Sequence, residues 1–177
     1  MSLLVDHKLL NLLSKDNWND NWNFREYLIN HVEPGSIDRK AQQLDREVTA
    51  KIDCTKCGNC CRESKPSLSA GELDRLATAK GISILEFTNQ FTCVDETNTR
   101  TFNQSPCPLL NGTRCSVYPA RPFDCASYPH LQEPDFIGGS IHTIENYRVC
   151  PIVFNVYEQM KSSFDYDPTI DYYTYKK

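Results

Sequence analysis

The chain has 177 residues, 40% of them hydrophobic, a formal charge of −4 and nine cysteines. A chain of this length buries about 70% of the surface its unfolded form exposes, so it holds an apolar core without covalent staples. The cysteines therefore do not replace a missing core, and the chain is too long and too poor in cysteine for a dense disulfide scaffold. Its acidic balance and lack of a strong basic run give no electrostatic support to nucleic acid or an anionic membrane as a partner.

The opening MSLLVDHKLLNLL has its apolar run interrupted by Asp6, His7 and Lys8. A secretory signal needs a basic start, an unbroken apolar stretch and a small-residue cleavage site, and none is legible. No window approaches the ~20 apolar residues of a membrane span. The expectation is reducing cytoplasm, where clustered cysteines bind metal or do redox chemistry more often than they form structural disulfides.

Residues 3–13 carry a leucine-rich helical pattern, and an Asn/Trp segment follows with Trp18, Trp22 and Phe24 as packing residues. Pro34-Gly35 reads as a turn and Ser36 as an N-cap. Beyond it, Ile37, Ala41, Leu44, Val48 and Ile52 line one face of a helix that leads into Cys54. Ser69-x-x-Glu72 and Ser83-x-x-Glu86 are capping-box signatures that open two short helices. Residues 92–149 lose helical periodicity and gain Pro, Asn, Gly and Thr, which predicts short strands and loops and places His142 on a strand. Pro151 at a first helical position opens a last helix through Ile152, Val153, Val156, Tyr157 and Met160. A Tyr-rich polar tail follows from Asp165.

The chemistry is concentrated in Cys54-x-x-Cys57-x-x-Cys60-Cys61. A C-x-x-C loop turns two sulfurs toward one ion, and a third cysteine at the same spacing is similar to runs that hold iron–sulfur clusters. Adjacent Cys60 and Cys61 point different ways, so one of them serves a second metal or an open position. Lys56, Gly58, Asn59, Arg62 and Glu63 surround these thiols, which argues against a buried apolar packing role. In Cys107-Pro-Leu-Leu-Asn-Gly-Thr-Arg-Cys115, Asn111-Gly112 marks a hairpin. A two-residue loop pairs Pro108 with Cys115, and a three-residue loop pairs Cys107 with Cys115; either brings the two sulfurs together.

Cys125 extends the group behind Arg121-Pro122. Several thiolates around one site accumulate negative charge, which Arg121, helped by Arg62, Arg114 and Arg148, can offset. Cys150, before Pro151, stands at an N-cap that favours a thiolate. Cys93 has no ligand-like neighbours and reads as a packing cysteine. His130 is a candidate extra ligand, though a packing or surface role is commoner, and Asp124 beside Cys125 is a candidate carboxylate ligand. No Ser-His-Asp or G-x-S-x-G signature and no Gly-rich phosphate loop is present.

Cys54-x-x-Cys57-Gly58-Asn59-Cys60-Cys61, Cys107-Pro108-Leu-Leu and Cys115-Ser-Val-Tyr118-x-x-Arg121-Pro122-x-x-Cys125-x-x-Tyr128-Pro129 together resemble the CxxCxxCC, or YkgJ-like, cysteine cluster family of zinc- or iron-chelating domains. The resemblance covers roughly residues 50–151. It implies eight metal-ligating cysteines, Cys54, Cys57, Cys60, Cys61, Cys107, Cys115, Cys125 and Cys150, with Arg121 and Tyr118 supporting them; at least six are expected to touch metal. It implies zinc or iron as cofactor, an iron–sulfur cluster included, and room for more than one ion. Some larger proteins with this pattern are similar to flagellin lysine methylases, so an iron redox or modification enzyme with an open coordination position is the alternative. The expected architecture is mainly helical α+β: one domain over residues 1–177, with terminal helices around a loop-and-hairpin metal-binding core at 50–151 and a family-variable helical extension at 1–49.

Overall fold

The computed structural model describes residues 3–174. In chain order they form α1 (His7–Asp16), α2 (Trp18–His31), α3 (Pro34–Thr49), α4 (Cys54–Cys57), α5 (Cys60–Glu63), α6 (Ala70–Lys80), α7 (Ile84–Phe91), β1 (Thr92–Val94), β2 (Arg100–Phe102), β3 (Leu110–Asn111) and β4 (Arg114–Cys115). A 3₁₀ turn at Tyr118–Ala120 precedes α8 (Phe123–Ser127), α9 (Phe136–Asn146) and α10 (Pro151–Ser163). The protein is mainly helical α+β, its strands confined to two antiparallel hairpins, β1–β2 and β3–β4. The chain divides into two compact units, residues 3–52 with 129–174, and residues 53–128.

The first unit is a helix assembly around α3 and α10, which pack on each other. The expected α3 face is buried at Ile37, Ala41, Leu44, Val48 and Ile52, as is the α10 face at Ile152, Val153, Val156, Tyr157 and Met160. Asp6 caps α1, so that helix starts at His7 rather than at the leucines before it. The Asn/Trp segment is a full helix, α2, that buries Phe24, Tyr27 and Leu28 and leaves Trp18 45% exposed. The tail docks here: Tyr166 lies against Phe24 with ring centroids 4.9 Å apart, and Tyr172 against Tyr27 at 4.9 Å.

Two sequence expectations in this unit need correction. Pro34-Gly35 is not a turn before a Ser36 cap: Glu33 is the cap, its carboxylate accepting from Gly35 N and Ser36 N, and Pro34 starts the helix. The strand-and-loop reading of 92–149 misses α9, which carries His142 on a helix. Two glycines in its first turn, Gly138 and Gly139, weaken the helical signal. Its N-cap is Asp135, whose carboxylate accepts from Gly138 N at 3.0 Å, and the Asp38 carboxylate of α3 steadies the same end by accepting from Asp135 N and Phe136 N at 3.0 and 2.9 Å.

The second unit has a small core of Leu68, Leu73, Leu76, Ala77, Phe87, Phe102, Leu109 and Val117, with Cys107 and Cys115 packed on it. The Ser69–Glu72 capping box forms in full. Glu72 also accepts from Phe123 N at 2.6 Å, while Arg75 donates to Ala120 O and Arg121 O, both at 3.2 Å. Thus α6 anchors the segment that carries Arg121 and leads to Cys125.

The C-x-x-C expected as a loop is a single helical turn, α4. Asp53 caps it by accepting from Thr55 N, and Gly58 ends it in the left-handed conformation, φ +63°. The hairpin register differs from both expected pairings: Leu110 pairs with Cys115 and Asn111 with Arg114. Gly112, not Asn111, takes the positive φ, so Gly112-Thr113 form the turn and Asn111 stays in the strand. The sulfur-bearing Cys107 lies before the ladder, its carbonyl accepting from Leu110 N.

The β3–β4 turn is seated on α4. A Cβ at Gly58 would stand 2.6 Å from Thr113 O, a backbone atom. Gly58→Ala would combine this overlap with a left-handed backbone that costs a non-glycine residue about 1–2 kcal/mol. Urea unfolding of the metal-free chain should show at least that loss, and unchanged stability would contradict the seating.

Candidate metal centre

The cysteine segments are joined by hydrogen bonds to main-chain oxygens. Cys107 N donates to Cys61 O at 2.7 Å, Thr113 Oγ1 to Thr55 O at 3.0 Å and Ser105 Oγ to Arg62 O at 2.6 Å. The Arg62 guanidinium spans the gap, with Nη1 donating to Cys57 O at 3.1 Å and Nη2 to Gly112 O at 2.8 Å. The sequence suggests Arg62 as a charge helper. Its role as a bridge is not legible, because the Gly112 acceptor is 50 residues away.

Cys54 is exposed, whereas Cys57, Cys60, Cys61, Cys107, Cys115 and Cys125 are half-buried, and none of them is joined in a disulfide. Cys61, Cys107, Cys115 and Cys125 sense one another electrically. A hydrogen bond from Cys60, aided by the nearby Arg62 charge, lowers the Cys61 thiol to about 7 despite partial burial. Burial pushes Cys107 up to about 11, and the negative forms of Cys61 and Cys115 add to it. Cys125 is pushed up to about 12 by burial and then by Cys61, Cys107, Cys115 and Asp124. Burial also raises Cys115, while the Arg121 charge opposes the rise.

Arg121 is held for this purpose. Its guanidinium stacks on the Tyr118 ring, 4.0 Å from the centroid, and Nη1 donates to Tyr118 O at 3.1 Å. The ring and carbonyl fix the cation without neutralising it. Arg114 lies farther from the same ring, at 5.9 Å. Asp124 turns its carboxylate to Ser67, accepting from Ser67 N at 2.9 Å and Ser67 Oγ at 2.6 Å. It thereby ties α8 to the segment before α6.

The remaining candidates fall elsewhere. Cys150 and His130 belong to the first unit, as does Arg148. Cys150 is buried at the N-cap of α10, as its sequence context predicts. His130 has a left-handed backbone, φ 64°, and its Nδ1 lies 2.9 Å from Glu133 Oε1. Cys93 packs half-buried in β1, its thiol 3.8 Å from Phe102 O.

Among the described residues, no three or more His, Cys, Asp and Glu side chains are already gathered at one metal position. Cys61, Cys107, Cys115 and Cys125 lie near enough to act on one another's charge, and coordination would draw their sulfurs inward. The donor chemistry fits zinc or iron. Soft thiolate ligands select these metals, and a divalent cation bound here would replace the protons that burial and mutual repulsion keep on Cys107, Cys115 and Cys125.

Such a unit, small, partly helical and built around clustered thiols, defines a cysteine-cluster domain. Residues 53–151 match the CxxCxxCC family, described as a proposed zinc- or iron-chelating domain, and the chain belongs to that family. The matched segment runs past the second unit and includes Cys150. No curated protein and no solved structure matches the chain. Among the described residues, no helix is long and apolar enough to cross a membrane.

The spread of thiol acidities has a direct readout. In the metal-free, reduced chain near neutral pH, Cys61 should carry far more thiolate than Cys107 or Cys125. Iodoacetamide followed by peptide mass spectrometry should modify Cys61 well before those two. Equal rates would contradict the electrostatics described.

Proposed function

We propose that residues 53–128 form a thiolate metal-binding module for zinc or iron, with Cys61, Cys107, Cys115 and Cys125 as its central ligands. The observation that carries the reading is that four cysteines of the family-matched residues 53–151 come from separate segments, α5, the turn before β3, β4 and α8, yet lie near enough for the charge of one to disfavour the next. Isolated packing cysteines would not share their charge in this way. Four thiolates around one divalent ion leave two negative charges, and Arg62 and Arg121 stand beside Cys61 and Cys115 to offset them.

When bound, the metal would supply folding energy to loops that have little core of their own. Arg121, fixed on Tyr118, would stabilise the anionic sulfurs, and Arg62 would keep the Cys57 and Gly112 backbones together as the sulfurs move inward. The reading carries with it a reducing cytoplasm, where the thiols remain available.

Purification under anaerobic conditions, followed by elemental analysis, a visible spectrum and titration of thiols, tests the proposal. It expects bound zinc or iron, with Cys61, Cys107, Cys115 and Cys125 protected from thiol reagents until a chelator is added. A colourless zinc protein and a visibly absorbing iron–sulfur protein are both consistent with it. A chain that binds neither metal, with all nine cysteines equally reactive with and without added metal, would overturn it.

A further inference from the structure

Where α6 meets the 3₁₀ turn and α8, the second unit carries an open cleft of about 700 Å³ whose walls include Glu72, Arg75, Arg121, Phe123 and Asp124. Sites for small organic ligands have this size. What such a site can bind follows from which of its polar groups the fold has already used.

The two carboxylates are spent within the chain. Glu72 Oε2 accepts from Ser69 N at 2.8 Å and Ser69 Oγ at 2.6 Å, while its Oε1 accepts from Phe123 N at 2.6 Å. Asp124 Oδ2 accepts from Ser67 N and Ser67 Oγ, so the serine hydroxyl protons are used as well. Arg75 gives Nε to Ala120 O and Nη2 to Arg121 O, and lies 3.8 Å from Glu72 Oε1. Arg121 is the exception. Among the described residues its guanidinium donates only through Nη1, to Tyr118 O, with the Tyr118 ring stacked 4.0 Å away. A guanidinium carries several further N–H donors in a planar fork that matches an oxyanion.

The apolar part of the cleft is supplied by Phe123, which is 67% exposed. Its ring offers a flat surface beside the unspent fork. Charge narrows the choice of oxyanion. Glu72 and Asp124 stand in the same walls, so a singly charged group meets less repulsion than a phosphate dianion. We propose that this cleft binds a small organic carboxylate with a flat apolar body, its carboxylate on Arg121 and its body against Phe123. The site does not rest on the metal-binding reading, because none of these contacts runs through a sulfur.

The test titrates the full, reduced chain with benzoate by calorimetry under anaerobic conditions, beside benzyl alcohol, acetate and phenyl phosphate. Benzoate should bind about tenfold or more tightly than the alcohol or acetate, and more tightly than phenyl phosphate. Arg121→Gln should weaken benzoate on the order of ten- to a hundredfold, the worth of hydrogen bonds to a charged group. Phe123→Ala should weaken it severalfold, the scale of an aromatic contact. Circular dichroism checks that both variants fold, and the mostly exposed Phe123 carries the test if Arg121→Gln does not. No binding of benzoate, equal binding of the alcohol or the phosphate, or unchanged binding in Phe123→Ala would overturn the proposal. Tighter binding of an acetylated tripeptide ending in phenylalanine would overturn the small-molecule reading in favour of a chain terminus. Metal content, measured alongside, separates a failure of this site from a failure of the thiolate centre.

Discussion

The fold of the cysteine-bearing unit depends on one close approach, that of Gly58 to the Thr113 carbonyl. A side chain at Gly58 would meet a backbone oxygen 2.6 Å away, so only glycine lets α4 end where the β3–β4 turn begins. The contact is reinforced from both sides, by Thr113 Oγ1 on Thr55 O and by Arg62 reaching Cys57 O and Gly112 O. Two segments that carry different cysteines are thereby joined without a disulfide. The bonds are largely to main-chain oxygens, so they position the cysteine backbones without depending on where each sulfur points. Side chains can then rotate onto a metal while the frame stays in place.

The charges around the thiols explain why such a frame would want a cation. Burial raises Cys107, Cys115 and Cys125, and each is raised further by the negative forms of its neighbours or opposed by one positioned arginine. Cys61 is driven down, by Cys60 and Arg62. A cluster with one ready thiolate and several reluctant ones would be completed by a divalent ion, which removes the repulsion that keeps the others protonated. The Arg121–Tyr118 stack offers fixed positive charge at short range, a stronger arrangement than a mobile surface arginine.

What the sequence discloses follows the range of the interactions involved. The α3 face and the Ser69–Glu72 box are local patterns, set by residues within a turn of each other, and they form as expected. Pro151 behind Cys150 likewise marks the start of α10. The α9 helix is hidden because its first turn holds two glycines and its start leans on Asp38 of α3 as well as on its own cap, Asp135. The hairpin register escapes because Asn111 and Gly112 both tolerate positive φ, and only the tertiary seat on α4 selects Gly112. The cysteine spacing is plain in the sequence, and Arg121 and Tyr118 are named there as supports, but the stacking of one on the other is disclosed only by the fold. The bridging reach of Arg62 is not, because both ends of it exist only once the loops are folded.

The most direct test of the central claim, that thiolates of residues 53–128 hold zinc or iron, is X-ray absorption spectroscopy at the metal edge of the anaerobically loaded chain. The account predicts a first shell dominated by sulfur, at about 2.3 Å for zinc. It also predicts that Cys115→Ser and Cys125→Ser exchange part of that sulfur for lighter ligands. A first shell of nitrogen and oxygen, unaffected by those substitutions, would contradict it.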